Sequence, residues 1–312
     1  MRSWKLWITL ACALIGGPAC DQMAPVPPPP VGAAGACSAA LRAGTDNDCS
    51  VTIGGRARAF FVHVPSSYTG APLPLVLDLH GTGSSRQGQR SISGWIAVAD
   101  REGLIVVHPQ ALAGRTGRTQ WNAGDCCEEG QTANDEAFLR EAVRVTRTVV
   151  QVDGERIFAT GLSTGGVMSH FLGCRAADVF KGIAPISFQL SSRLVCTPAR
   201  PLSMIEFHAP TDRQRPFKGH SVRRPDGSVT VFPSAPASAA RWAAINACSP
   251  QSQVVLQRGQ SRCVQFPGCA GARVQFCSVD GAGQSLGGHV LYTNNDQLNL
   301  AQLAWDFFEP LR

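Results

Sequence analysis

From about residue 49 onward, short apolar runs alternate with stretches whose apolar residues recur every three or four positions. The runs at 73–79, 104–107, 156–160, 183–188 and 203–208 have the length of buried strands. Between and after them, 93–101, 133–150, 165–173, 235–247 and 295–309 read as helices. In 133–150 the apolar face is made by Phe138, Ala142, Val145 and Val149. Parallel strands cannot be joined by tight turns and need crossover segments, usually helices. The alternation therefore predicts an α/β fold over 49–312, a mainly parallel central sheet covered by helices on both faces. Near its start, 51–53 and 57–64 flank Gly54-Gly55 and read as a hairpin. There are no internal repeats, and no linker divides this region.

Composition removes other classes. With 44 % hydrophobic residues in 312, the chain can bury a sizeable core, which excludes wholesale disorder. Charged residues are only 16 %, and the net charge of +6 is spread along the sequence. Lysine occurs three times, and no basic segment of the kind that tracks nucleic acid is present.

The N-terminus predicts export. Arg2 and Lys5 precede an apolar stretch of about ten residues that Gly16, Gly17 and Pro18 then break, the layout of a signal peptide over 1–20. Ala19-Cys20 leaves two readings open: a lipid anchor at Cys20, the one predicted membrane contact, or plain secretion. Residues 21–48 form a Pro/Ala/Gly-rich tether with an N-terminal Cys segment. Removing 1–20 takes away Arg2, Lys5, Cys12 and Cys20, which leaves a charge of +4 and ten cysteines. An even number in an exported chain argues for disulfides. No C-x-x-C pair has a matching partner, so neither a metal nor a cofactor is expected.

The chemistry centres on Gly161-Leu162-Ser163-Thr164-Gly165, which fits G-x-S-x-G. A predicted strand precedes it and a predicted helix follows. Flanking glycines permit the tight strand-to-helix turn that lifts a serine hydroxyl toward substrate. That hydroxyl needs a base, and on this kind of sheet the order is Ser, then acid, then His. The later acids include Glu206, Asp212, Asp226 and Asp280. Asp212 follows the end of a strand, where such sheets place catalytic groups, and is chosen. The later histidines are His220, in the same basic loop as Asp212, and His289, after Gly287-Gly288 and before the final helix. His289 is chosen, and His220 reads as a solvated loop residue. An acyl-transfer intermediate also needs preorganised N–H donors. Thr164, after the nucleophile, and Thr82, in His80-Gly81-Thr82-Gly83 after an early strand, are the expected pair. Trp121 is a candidate for lining the acyl pocket, and the basic stretch Arg213, Arg215, Lys218, Arg223 and Arg224 for attracting anionic substrates.

Taken together, the chain resembles the esterase family of extracellular polyhydroxybutyrate depolymerases and feruloyl or acetylxylan esterases, within the α/β-hydrolase superfamily. The resemblance runs through Leu79-His80-Gly81, Trp121-Asn122, Cys126-Cys127 and Asn134-Asp135. It continues through Val152-Asp153, the segment from Gly161 to Met168, Cys174, His208 to Asp212, Pro216-Phe217, Trp242, Asn246, Cys248 and Gly288-His289. Ala209 stands where the family commonly has Gly, and Val290-Leu291-Tyr292 where Trp-Pro is common. The resemblance implies Ser163 as nucleophile, His289 as base and Asp212 as orienting acid, matching the choices above. It also implies pairing of Cys126 and Cys127 with Cys174 and Cys196, of Cys37 with Cys49, and of Cys248, Cys263, Cys269 and Cys277 among themselves. Cys126 bonded to Cys127 is the alternative.

The expected function is that of an exported serine ester hydrolase, extracellular or periplasmic. Its substrate is a small ester, a polyester oligomer or an esterified polysaccharide, with no nucleic-acid partner. Two rivals share the fold: a serine peptidase or acyltransferase, and a catalytically inactive surface-tethered binding protein.

Overall fold

The computed structural model describes residues 36–37, 41–124, 132–224 and 226–311. Strands β1 (Ala36–Cys37), β2 (Thr45–Ile53), β3 (Arg56–Val64) and β4 (Leu73–Leu79) come first. Then follow α1 (Arg86–Ile92), α2 (Trp95–Glu102), β5 (Ile105–Pro109), α3 (Asp135–Val149), β6 (Val152–Leu162) and α4 (Thr164–Arg175). The remainder is β7 (Gly182–Ile186), β8 (Ser203–His208), β9 (His220–Arg223), β10 (Val229–Phe232), α5 (Ala235–Ile245), β11 (Gln253–Arg258), β12 (Ser261–Phe266), β13 (Val274–Ser278) and α6 (Leu300–Phe308).

Eleven of these strands form one sheet in the order β1-β2-β3-β5-β4-β6-β7-β8-β13-β12-β11. The six from β5 to β13 run parallel, and antiparallel strands extend both flanks. Strands β5, β7 and β8 are buried along their whole length, as parallel strands covered on both faces must be. One layer packs Phe138, Met168, Leu172 and Trp242 of α3, α4 and α5 against the sheet. The opposite layer packs Trp95, Val98, Trp305 and Phe308 of α2 and α6. Phe158 of β6 stacks on Phe308 at 4.4 Å, a ring pair of the kind that adds about 0.5–1.5 kcal/mol to simple burial. The Gly54-Gly55 hairpin forms between β2 and β3, with both glycines at positive φ.

The structure differs from expectation in four places. The helix expected at 93–101 is cut by Gly94, at φ +79, and α1 precedes it as a separate turn of helix capped by Ser85. The last helix begins at Leu300, because the Asn299 side chain accepts from the Gln302 N–H and caps it there. The antiparallel β11–β12–β13 meander and the β9–β10 hairpin had not been anticipated. The fourth concerns the cysteines. Cys174 at the end of α4 bonds to Cys196, with Cα atoms 4.5 Å apart, so neither is the partner of Cys126 or Cys127. Cys126 and Cys127 lie outside the described residues.

Cys37–Cys49 ties β1 to β2 as expected. Cys248–Cys269 and Cys263–Cys277 are the pairs among the last four, the second bridging facing positions of β12 and β13. Loops closed over 12 to 22 residues are of the size for which a disulfide stabilises by about 2–4 kcal/mol. No helix among the described residues is long and apolar enough to cross a membrane, and no acid, His or Cys cluster among them could hold a metal.

Candidate active site

Ser163 stands between β6 and α4 with φ 56 and ψ −119, a backbone conformation that non-glycine residues rarely adopt. The turn is held by close backbone packing. A Cβ on Gly161 would lie 2.6 Å from Gly165 C and 2.7 Å from Leu79 O. A Cβ on Gly165 would run into the Leu79 carbonyl and lie 2.9 Å from His80 O. Glycine is therefore required at both positions by space. The Ser163 N–H donates to Ile186 O of β7 at 2.9 Å, which fixes the turn to the neighbouring strand.

The 81–84 loop leaves β4 beside this turn. A Cβ on Gly81 would sit 3.3 Å from Ser163 Cβ. Thr82 and Thr164 meet through their hydroxyls, Oγ1 to Oγ1 at 3.1 Å. The Thr82 N–H has no acceptor among the described residues. The Thr164 N–H opens α4, where the first N–H groups have no partner within the helix.

Behind the loop, His80 is fully buried and receives the Ala111 N–H on Nε2 at 3.0 Å. Its proton is therefore on Nδ1, which donates to Gly81 O at 2.8 Å. Burial pulls the His80 pKa down to about 4, so the ring is neutral.

Trp121 is not a lining residue. It is 0 % exposed, and its indole N–H donates to His80 O at 2.8 Å. The next residue, Asn122, donates its N–H to Asp135 Oδ2, whose other oxygen pairs with the buried Arg58 at 2.5 Å. Trp121 thus fastens the 80–84 loop to the start of α3 and has no surface to offer a substrate.

Asp212 and His289 come together from loops after β8 and β13, with His289 Nδ1 2.8 Å from Asp212 Oδ2. Two glycines make this approach possible. Gly287 and Gly288 have φ +70 and +87, and a Cβ on Gly287 would run into the Thr211 carbonyl. Thr211 Oγ1 donates to Gly287 O at 2.7 Å, and the Arg213 N–H to Leu286 O at 3.1 Å. The other Asp212 oxygen accepts the N–H groups of Gln214 and Arg215 at 2.8 and 2.9 Å.

His208, the last residue of β8, was passed over in the sequence because it precedes Asp212. Its Nε2 donates to Arg215 O at 2.8 Å and stands 3.4 Å from Asp212 Oδ2. Burial opposes ionisation of Asp212, but hydrogen bonds from His208 and His289 outweigh it and hold the carboxyl below its ordinary value. His289 Nδ1 faces that carboxylate, while its Nε2 is buried without a hydrogen-bond partner among the described residues. No hydrogen bond joins it to Ser163 in this structure; in unliganded hydrolases such contacts are often long.

One further acid is buried nearby. Glu206 of β8 accepts from Ser238 Oγ at 2.8 Å and lies 3.7 Å from His170 Nε2. Burial pushes its pKa well above the usual carboxylate range. Ser163, Asp212 and His289 therefore all follow C-terminal ends of parallel strands, the edge where open α/β sheets bind ligands.

No protein-family model matches the chain. It is 29 % identical over 256 residues to feruloyl esterase B of Piromyces equi, covering 80 % of this chain and 44 % of that one. It is 27 % identical over 333 residues to the putative esterase NocK of Nocardia uniformis subsp. tsuyamanensis, covering 94 % of this chain and 95 % of the relative. The chain thus spans less than half the length of the first and nearly all of the second. An acetyl xylan esterase from Aspergillus awamori superposes with a TM-score of 0.53 at 13 % identity, covering 81 % of this chain and 94 % of that one. At that identity it speaks for the fold alone. The chain thus has an α/β fold like that of the solved acetyl xylan esterase, and its sequence is similar to proteins named feruloyl esterase, acetylxylan esterase/xylanase and poly(3-hydroxyalkanoate) depolymerase.

Proposed function

We propose that the chain is an exported serine esterase that hydrolyses carboxylic esters through Ser163, His289 and Asp212. One observation carries the reading. A serine on a strained, glycine-walled turn shares its sheet edge with a histidine already held by a buried carboxylate. Donation to Asp212 fixes the His289 proton on Nδ1 and leaves Nε2 free to accept.

In the proposed reaction Nε2 takes the Ser163 Oγ proton as Oγ attacks the ester carbonyl. The N–H groups of Thr82 and Thr164 receive the oxyanion, which has no competing acceptor to displace at Thr82. Nε2 then gives its proton to the departing alcohol. Water, deprotonated by the same nitrogen, cleaves the acyl-enzyme and restores Ser163. The step needs no metal or cofactor.

Export is supported by the four disulfides among the described residues, which belong to an oxidising compartment. The names of the similar proteins, a feruloyl esterase, a poly(3-hydroxyalkanoate) depolymerase and an acetylxylan esterase/xylanase, support a substrate among small esters, polyester oligomers and esterified polysaccharides. The test is a panel of 4-nitrophenyl esters, methyl ferulate, acetylated xylan and hydroxybutyrate oligomers, with Ser163→Ala as control. Hydrolysis of at least one ester that is lost in the control is expected. Undiminished hydrolysis by a folded Ser163→Ala protein rejects the assignment.

A further inference from the structure

Arg215 links the two halves of the site. Its main chain is bound on the acid side, N–H to Asp212 Oδ1 at 2.9 Å and O from His208 Nε2 at 2.8 Å. Its side chain reaches the nucleophile side, with the guanidinium 4.5 Å above the ring of Phe188. Phe188 follows β7 by two residues, and β7 ends at Ile186, whose carbonyl holds the Ser163 N–H.

Among the described residues no carboxylate forms an ion pair with this cation, although Asp212 attracts it through space. Five arginines among the described residues stack on rings. Four of them also reach acceptors: Arg58 binds Asp135, Arg86 Asp48, Arg156 the Glu309 carbonyl and Arg273 the Phe307 carbonyl. Among the described residues the Arg215 guanidinium has no hydrogen-bond acceptor, and its Nε is buried without one. A guanidinium stays protonated, so an anion supplied by a ligand would offset the cost of burying that nitrogen. Asp212 attracts the guanidinium through space but makes no hydrogen bond with it, its oxygens binding His289 and the N–H groups of Gln214 and Arg215.

A second unpaired group lies beside it. His220 stacks on Phe232 at 4.9 Å, and Phe232 meets Phe188 edge-on at 5.3 Å. Both His220 ring nitrogens are buried and have no hydrogen-bond partner among the described residues. Burial and the neighbouring Arg215 charge lower the His220 pKa, which keeps the ring neutral at pH 7 with one N–H to donate.

We propose that Arg215 is a specificity residue that receives a carboxylate carried by the ester substrate, with His220 as a further polar contact. Accepting two parallel N–H bonds from the guanidinium would place that carboxylate on the aromatic corner formed by Phe188 and Phe232. The inference rests on the esterase reading and narrows it to esters with an anionic group near the scissile bond.

The test compares matched ester pairs. Mono-4-nitrophenyl adipate against 4-nitrophenyl hexanoate puts the charge on the acyl side, and 4-acetoxybenzoate against phenyl acetate puts it on the alcohol side. The quantity read is the ratio of kcat/KM for the anionic to the neutral member. In one of the two arms, Arg215→Met, which keeps an apolar stem over Phe188, should lower the ratio about 10- to 100-fold. Arg215→Lys, which keeps the charge without the fork, should fall between the two. A ratio unchanged by both substitutions in both arms, in a protein that hydrolyses the neutral esters, overturns the role of Arg215 and leaves the esterase reading standing. An unmutated protein that turns over no ester overturns both.

Discussion

Around Ser163 the backbone is packed so tightly that Gly161 and Gly165 have no room for a methyl group. Around His289 and Asp212 the partners are polar: two histidines, three main-chain N–H donors and the Thr211 hydroxyl set the geometry. One side is held by sterics between adjacent strands and a helix start. The other joins loops 77 residues apart in sequence through hydrogen bonds and charge. The difference matters because steric constraints resist pH and salt, while the polar side responds to both.

Substitutions can separate the two kinds of support. The largest expected effect is that of Asp212→Asn on turnover. An amide offers His289 Nδ1 either its oxygen or its NH2 group, so the tautomer is no longer enforced. A fall in kcat on the order of 10³–10⁴-fold is expected, with the circular dichroism spectrum retained.

The same variant tests the electrostatics. Folded Asp212 has a depressed pKa, so its stabilising contribution is present above the unfolded value near 4 and is lost as pH falls toward the folded one. The Tm gap between the unmutated protein and Asp212→Asn should narrow as pH drops below about 4. A gap independent of pH would mean that the carboxylate is not what holds this side together.

Gly165→Ala probes the steric side. The added methyl meets main-chain atoms of Leu79 and His80, which cannot swing away. A loss of about 3 kcal/mol or more is expected, a Tm decrease of roughly 6–12 °C, the same at pH 5 and pH 8. A Tm within about 1 °C of the unmutated protein would show that this turn is not sterically locked.

The smallest effect concerns Glu206. Burial raises its folded pKa, so its favourable contribution is complete below the unfolded value near 4 and disappears as pH rises through the folded one. Glu206→Gln keeps an oxygen for Ser238 and removes the proton uptake. Its Tm advantage over the unmutated protein should therefore grow from pH 4 to pH 8. An advantage that shrinks with pH would contradict a protonated Glu206.

The same contrast explains what could be read in the sequence. The buried strands β4, β5, β7 and β8 show as short, mainly apolar runs, and Gly161 and Gly165 announce the tight turn because a local pattern reports local packing. Asp212 and His289 were found by their order along the chain and by the resemblance. Their neighbours were not. His208 precedes Asp212 and failed the order rule, yet the strand end and the 209–215 loop fold it back onto the carboxylate. Trp121 carries no local sign that its N–H reaches His80, 41 residues away. His220 read as a solvated loop residue, but pairing of β9 with β10 places it on Phe232. Strand β11 escaped notice because Val254 and Val255 are both half exposed, without the alternation of a half-buried strand.

The central claim is that Ser163 is the activated nucleophile, and covalent labelling addresses it without assuming a substrate. The unmutated protein would be treated with a fluorophosphonate probe, digested and mapped by mass spectrometry, alongside Ser163→Ala. The predicted result is one adduct per chain, on the peptide containing Ser163, and none on the alanine variant. An unlabelled native protein, or equal labelling of a folded Ser163→Ala protein, would contradict the account.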